Sequence, residues 1–278
     1  ETQSAAYELV SAPFGIRGRH PMLVRDVSVG QSTELQQLQS MWQGTAQGNG
    51  RLVGVSGEAG IGKSHLIATF KQTIAASQGQ SFQVNCTAEI ENMPYGLLNR
   101  LFRSLLLLPE YATTEQIQQA IQQHYPPETL LAQPHPTRRT VEIDSTLLVD
   151  LLGEQRQNLR VQEQSVYQHQ LYLLLRTLLA SKLDQGPLTL ILEDAHWSDA
   201  SSIAVLSHLV TNIQDAPILL LLVYRSSWSV PWQEKIETIN LKQFDLATRR
   251  QYLESLLGSS HLPPDLLTLS ERAGGNPL

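Results

Sequence analysis

The stretch Gly57-Glu58-Ala59-Gly60-Ile61-Gly62-Lys63-Ser64 constrains this chain more than any other. It satisfies the phosphate-binding loop pattern G-x-x-x-x-G-K-[ST] at every specified position. Its flanks fit as well. Arg51-Leu52-Val53-Gly54-Val55-Ser56 reads as a short buried strand, and Leu66, Ile67, Phe70 and Ile74 recur at helical spacing, so that Ser64 opens a helix. A strand, a glycine-rich loop and a helix start in that order can curl several backbone N–H groups onto one phosphate chain, with the partial positive charge of the helix terminus behind them. Lys63 is then expected to reach the β- and γ-phosphates, and Ser64 to hold Mg²⁺ through its hydroxyl. Gly57, Gly60, Ile61, Gly62 and His65 complete the expected phosphate-binding stretch. The plainer reading is a glycine-rich turn with an incidental lysine.

With 278 residues and 41% hydrophobic content, the chain suits one large α/β domain with a small appendage. Further strands are predicted at 81–86, 188–192, 218–224 and 236–241, and helices after Gly30 and over 95–108, 167–178 and 200–211. Strands that alternate with helices, several of them continuously apolar, predict a parallel sheet of about five strands covered on both faces. Residues 1–28 read as a linker from an upstream domain, and 109–165 as a partly helical insertion with a flexible loop near 126–142. Helices at 246–257 and 263–273 would begin a small C-terminal helical subdomain.

Net charge is −6, from 20 Lys+Arg against 26 Asp+Glu, with no long basic run, so no direct nucleic-acid contact is expected of this segment. The single cysteine, Cys86, forbids an internal disulfide and points to a reducing compartment, the cytoplasm. Cys86 itself is read as a small core residue. No stretch approaches the roughly 20 apolar residues of a membrane span, and the N-terminus lacks a basic-then-apolar signal. The chain starts without Met and stops at Gly274-Gly275-Asn276-Pro277-Leu278, so it is expected to be a piece of a larger protein.

A second constellation is Leu188-Thr189-Leu190-Ile191-Leu192-Glu193-Asp194, a buried strand that ends in two carboxylates. Successive side chains at a strand end point apart, so one acid can join a Mg²⁺ shell while the other orients or deprotonates the attacking water. The pair could instead cap the following helix. Tyr224-Arg225 ends another apolar strand. In a parallel sheet Arg225 would emerge beside the phosphate loop, where a guanidinium can sense the terminal phosphate or stabilise developing charge. A surface arginine that merely ends a strand is the alternative. Asp199 reads as a helix N-cap, and His196 as either a polar contact or a satisfied loop histidine. The eight histidines show no metal-ligand spacing.

Taken together, these residues resemble the STAND group of signal-transducing ATPases within the AAA+-like P-loop class. Val29-Gly30-Gln31-Ser32-Thr33-Glu34-Leu35 is similar to its V-G-R-x-x-E-L motif. Gly57 to Ser64 matches Walker A, and Glu193-Asp194-Ala195-His196-Trp197-Ser198-Asp199 resembles the Walker B of the subgroup tied to class III nucleotidyl cyclases and large LuxR-type regulators. Tyr224-Arg225 occupies the sensor 1 place, and Gly275-Asn276-Pro277 the G-N-P motif. The resemblance implies a three-layer NTPase core over 29–245 and a truncated lid over 246–278. It also implies an adenine pocket lined by Val29 and Gly30 and closed by Pro277. ATP/ADP and Mg²⁺ would be the ligands, with Ser64, Asp194 and Glu193 around the metal and Lys63, Glu193, Asp194 and Arg225 at the reaction. The residues alone do not separate ATP from GTP. The implied function is a slowly hydrolysing regulatory switch with effector and sensor domains elsewhere in the chain, and a nucleotide-dependent oligomer. The alternatives are a non-hydrolysing ADP-bound scaffold and an origin or DNA-remodelling ATPase. Two departures stand out. Gln31 replaces the usual Arg, and the acid pair reads Glu-Asp, which leaves metal ligand and base unassigned between them.

Overall fold

Ile218–Tyr224 is buried at all seven positions. A strand buried on both faces belongs at the centre of a sheet with cover on each side. In the computed structural model, which describes residues 30–124, 146–153 and 164–245 with Ala247, Thr248, Arg250, Gln251 and Glu254 beyond them, that strand is β4. The others are β1 (Arg51–Ser56), β2 (Gln80–Asn85), β3 (Leu188–Glu193) and β5 (Glu237–Asn240). They form one sheet in the order β2-β3-β4-β1-β5, and every pairing is parallel. Burial follows position. β1, β3 and β4 are almost wholly buried, whereas the edge strands β2 and β5 alternate or stay exposed.

The helices among the described residues are α1 (Ser32–Ala46), α2 (Lys63–Ala76), α3 (Ala88–Glu91), α4 (Gly96–Leu105), α5 (Thr114–His124), α6 (Thr146–Leu152), α7 (Gln164–Leu183) and α8 (Ala200–Asn212). Two cores divide them. On one face Leu38 and Trp42 of α1 and Leu66, Ile67, Phe70 and Ile74 of α2 pack on Val53, Val55, Ile191, Leu219 and Leu221. On the other, α4, α7 and α8 cover Leu52, Leu190, Leu192, Leu220 and Leu222. Three layers result, as expected for a doubly covered parallel sheet.

Boundaries moved where local backbone chemistry intervened. α1 begins at Ser32, because Gly30 turns the chain at φ +92°. Helix α4 stops at Leu105 rather than 108, since Leu107 takes a left-handed φ of +56° ahead of Pro109. Cys86 lies just past β2. Its N–H makes the last ladder bond to the Glu193 carbonyl (2.8 Å) before the chain turns away. Its thiol is 3% exposed and burial pushes its pKa up to about 11, which suits a core residue and not a nucleophile. The linker over 1–28, Val29, the loop near 126–142, the helix over 263–273 and Pro277 lie outside the described residues.

Asp199 is the N-cap of α8, as its position ahead of a helical pattern predicts, and it does more. Its carboxylate accepts from Ser202 N (2.8 Å) and Ser202 Oγ (2.6 Å), and also from Tyr95 N (2.9 Å) and Leu97 N (3.1 Å) at the start of α4. One buried anion therefore serves two helix N-termini, where both dipoles favour it. Removing it strands several buried donors. Asp199→Ala should lower unfolding free energy by about 3 kcal/mol, read by chemical denaturation; a loss under about 0.5 kcal/mol, the surface-substitution level, would contradict this role.

Candidate functional site

Parallel register brings the chemistry to one edge. Ser56 pairs with Tyr224 and Leu192 with Leu222. Gly57, Glu193-Asp194 and Arg225 thus leave the sheet at one level, at the carboxyl ends of β1, β3 and β4, where open α/β sheets bind ligands.

The loop between β1 and α2 needs its glycines. Gly60 and Gly62 sit at φ +75° and +94°, and Gly62 is the N-cap of α2. A side chain on Gly57 would meet Ile61 Cγ2 at 2.9 Å and the Leu241 backbone oxygen at 3.3 Å. The first helical bond runs from Leu66 N–H to Gly62 O (3.0 Å), so the Lys63 and Ser64 amides lie in the first turn, whose donors have no partner within the helix. Lys63 is buried and folded back, donating to Gly57 O (2.8 Å) and Glu58 O (2.7 Å). Burial lowers its pKa, and the Asp194 charge opposes that shift while Arg225 adds to it. Ser64 is exposed on the first turn of α2, and His65 beside it is half-buried.

Beyond β3 the chain turns at Asp194, a non-glycine residue at φ +51°. Aspartate tolerates this conformation better than most residues. The turn separates the two acids. Glu193 is half-buried and shares a strand face with Ile191, on the α2 side. Burial raises its pKa, Asp194 raises it further, and Lys71 of α2 counteracts. Asp194 is exposed and acts on Lys63, which Arg225 also does. Arg225 is exposed at the end of β4, and the next residue, Ser226, donates its hydroxyl to the Glu58 carboxylate. The phosphate loop and the loop after β4 are therefore joined directly.

Two residues carry more than their sequence context suggested. His196 has both ring nitrogens buried without a hydrogen-bond partner, its ring 5.1 Å from that of Trp197. Burial lowers its pKa, with Asp194 opposing and Arg225 and Lys63 adding to the shift. Gln31 is 6% exposed and donates from Nε2 to Ile61 O in the phosphate loop (3.1 Å). In the sequence it stood out only as a departure from a family motif. Gly30 lies next to it, against Phe244 and Thr248. Val29 and Pro277 fall outside the described residues.

Among the described residues, no group of three or more His, Cys, Asp and Glu side chains could hold a metal. Mg²⁺ takes one or two carboxylates and completes its shell with water and phosphate oxygens; the oxygen-bearing side chains that the sequence put forward for it are Ser64 on the first turn of α2 and Glu193 and Asp194 at the end of β3. No described helix is long and apolar enough to cross a membrane.

A model of the AAA ATPase domain matches residues 27–223. An uncharacterised protein of Rhizobium meliloti (strain 1021) is 26% identical over 270 residues, which is 90% of this chain and 24% of that protein, so the chain spans about a quarter of its relative's length. Among solved structures, Drosophila ORC bound to DNA aligns with a TM-score of 0.52 at 12% identity, over 98% of this chain and 60% of that one. A Pyrococcus horikoshii signal transduction ATPase with numerous domains (STAND), which carries a tetratricopeptide repeat sensor, aligns at 0.41 and 14% identity over 90% of this chain and 28% of that one. The ORC likeness is one of fold.

The raised pKa of Glu193 has a consequence for stability. A carboxyl that binds its proton more tightly when folded opposes folding as pH rises through and above the ordinary glutamate range. Glu193→Gln should therefore raise the ligand-free melting temperature at neutral pH, with the gain shrinking as the pH is lowered to about 4. Melting curves over a pH series check this. A neutral or destabilising change at pH 7 would contradict it.

Proposed function

The chain belongs to the AAA ATPase domain family, and on that premise we propose that it is an ATP-binding, slowly hydrolysing switch module of a larger signalling protein. That it is a nucleotide-binding ATPase module follows from the family; the switch role, the slow turnover and the residue roles are our reading. The observation that carries it is the convergence of Lys63, Asp194 and Arg225 at the edge where β1, β3 and β4 end.

The first-turn amides of α2 would take the phosphates, with Lys63 released from Gly57 O and Glu58 O to neutralise them. Ser64 and Glu193, which lies on the α2 side of β3, would hold Mg²⁺, whose charge would offset that of the phosphates when bound. Asp194, in the field of Lys63 and Arg225, would orient the attacking water and accept its proton. Arg225 would stabilise charge on the transferred group. Because Ser226 donates to Glu58, a change at the phosphates would reach the loop after β4.

Regulation would run through the C-terminal segment. Its start already touches the other end of the site. Phe244 and Thr248 stand against Gly30, and Asp245 accepts from Thr248 N (2.8 Å) as a helix cap would. Nucleotide exchange would move this segment relative to the core, and the effector and sensor parts would lie elsewhere in the longer protein. The cytoplasm is the compartment we assign.

Lys63→Ala should weaken ATP binding at least about tenfold and cut turnover about 100-fold or more, measured by titration calorimetry and phosphate release. Unchanged affinity and turnover would overturn the proposal. ADP released on heating from a protein with no measurable turnover would replace the hydrolysing switch with a nucleotide-bound scaffold.

A further inference from the structure

We propose that Glu58 sets how many phosphates the site prefers, disfavouring a nucleoside triphosphate against the diphosphate. The inference rests on the nucleotide-binding reading above and names a specificity residue within that same site.

Glu58 is the acidic residue inside the phosphate loop itself, between Gly57 and Ala59. The groups that this loop brings to a phosphate are otherwise donors: the first-turn amides of α2 and the Lys63 ammonium. Glu58 is exposed, and both of its polar ends are engaged. Its main-chain carbonyl accepts from Lys63 Nζ (2.7 Å), and its carboxylate accepts from the Ser226 hydroxyl. One residue therefore holds the loop lysine at one end and the loop after β4 at the other. A carboxylate tied in this way is kept at the site instead of turning out to solvent.

Its place says which phosphate meets it. Ser56 lies opposite Tyr224 in the β1–β4 pairing. Glu58 and Ser226, each two residues further on, leave the sheet at one level, beside Arg225. Lys63 feels the charges of Asp194, Arg225 and Glu58 together. The carboxylate thus shares the neighbourhood in which the reading above puts the terminal phosphate. A diphosphate seated on the first-turn amides of α2 would stop short of it. A third phosphate would bring its negative charge among Lys63, Arg225 and Glu58. The two cations attract that charge, and the carboxylate repels it.

Repulsion of this kind separates two ligands that share their attractive contacts. Di- and triphosphate share the base, the sugar and two phosphates, so attraction to those parts cancels in the comparison. At the dielectric of a protein surface, one unit charge on a near neighbour moves a binding constant about tenfold. Screening and side-chain freedom blunt most exposed charges. The bond from Ser226 removes the second of these.

The test measures affinities of the 278-residue chain for ADP and for the β,γ-imido analogue of ATP, both with Mg²⁺, before and after Glu58→Gln. Glutamine keeps the size of the side chain and an oxygen for the Ser226 hydroxyl, and removes the charge. The ratio of triphosphate to diphosphate affinity should rise about tenfold in this variant. Glu58→Asp, which keeps the charge, should stay within about threefold of the unaltered ratio. Ser226→Ala should raise the ratio by less than Glu58→Gln does. Glu58→Ala gives the same comparison if the glutamine form does not fold. An unchanged ratio in Glu58→Gln, or an equal weakening of both ligands, would overturn the inference, since a loop that is merely damaged binds both poorly. A fall in the ratio would overturn it too, and would mark Glu58 as a ligand of the metal. Failure of the unaltered chain to bind either nucleotide would instead overturn the nucleotide-binding reading itself.

Discussion

Everything at this site depends on the parallel pairing of β1 with β4. With β4 buried at every position, a slip of one residue would exchange its two sets of side chains between the two cores. The register is therefore strongly specified by burial, and it fixes Ser56 opposite Tyr224. Gly57 and Arg225, each one residue later, inherit that alignment. Glu193 and Asp194 follow from the β3–β4 pairing in the same way. The apolar interior thus sets the relative height of four functional groups, none of which contributes to it.

Within that frame the charges divide. Lys63, Asp194 and Arg225 share one electrostatic neighbourhood, while Glu193 lies on the α2 side, within reach of Lys71. The left-handed turn at Asp194 produces the division, because it takes the second acid out of the strand geometry that would simply have sent it to the opposite face. His196, two residues on, is left with both ring nitrogens buried and unpaired among these charges. Such strain and incomplete satisfaction are tolerated where the surrounding structure holds them, and they concentrate at functional sites.

The core strands were legible from the sequence because their signal is local. The run Ile218–Tyr224 and the apolar stretch before Glu193 declare buried strands by composition alone, and the glycine-lysine loop declares its own geometry. The edges were less legible. β2 ends one residue before Cys86, where the ladder rather than the residue type decides. Gln31 was out of reach for another reason. Its partner is a carbonyl thirty residues away, so its meaning arises only in tertiary structure. The same holds for Asp199, readable as the cap of its own helix but not as an anchor for Tyr95 and Leu97. The tie between Ser226 and Glu58 joins residues 168 apart and left no trace in either segment.

The shared carboxylate of Asp199 gives the site two unequal halves. The segment from Ala195 to Ser198 is pinned at both ends, to the β3 ladder through Glu193 O and to two helices through Asp199. It is a short span between fixed abutments, and the side that carries Asp194 and His196 has little travel. The opposite half is fastened by a solvent-exposed hydroxyl–carboxylate contact and by a lysine resting on backbone carbonyls. On the nucleotide-binding reading proposed above, those bonds would exchange for contacts to phosphate, with the acids as the anvil and the adjustment falling to the loop that carries Lys63.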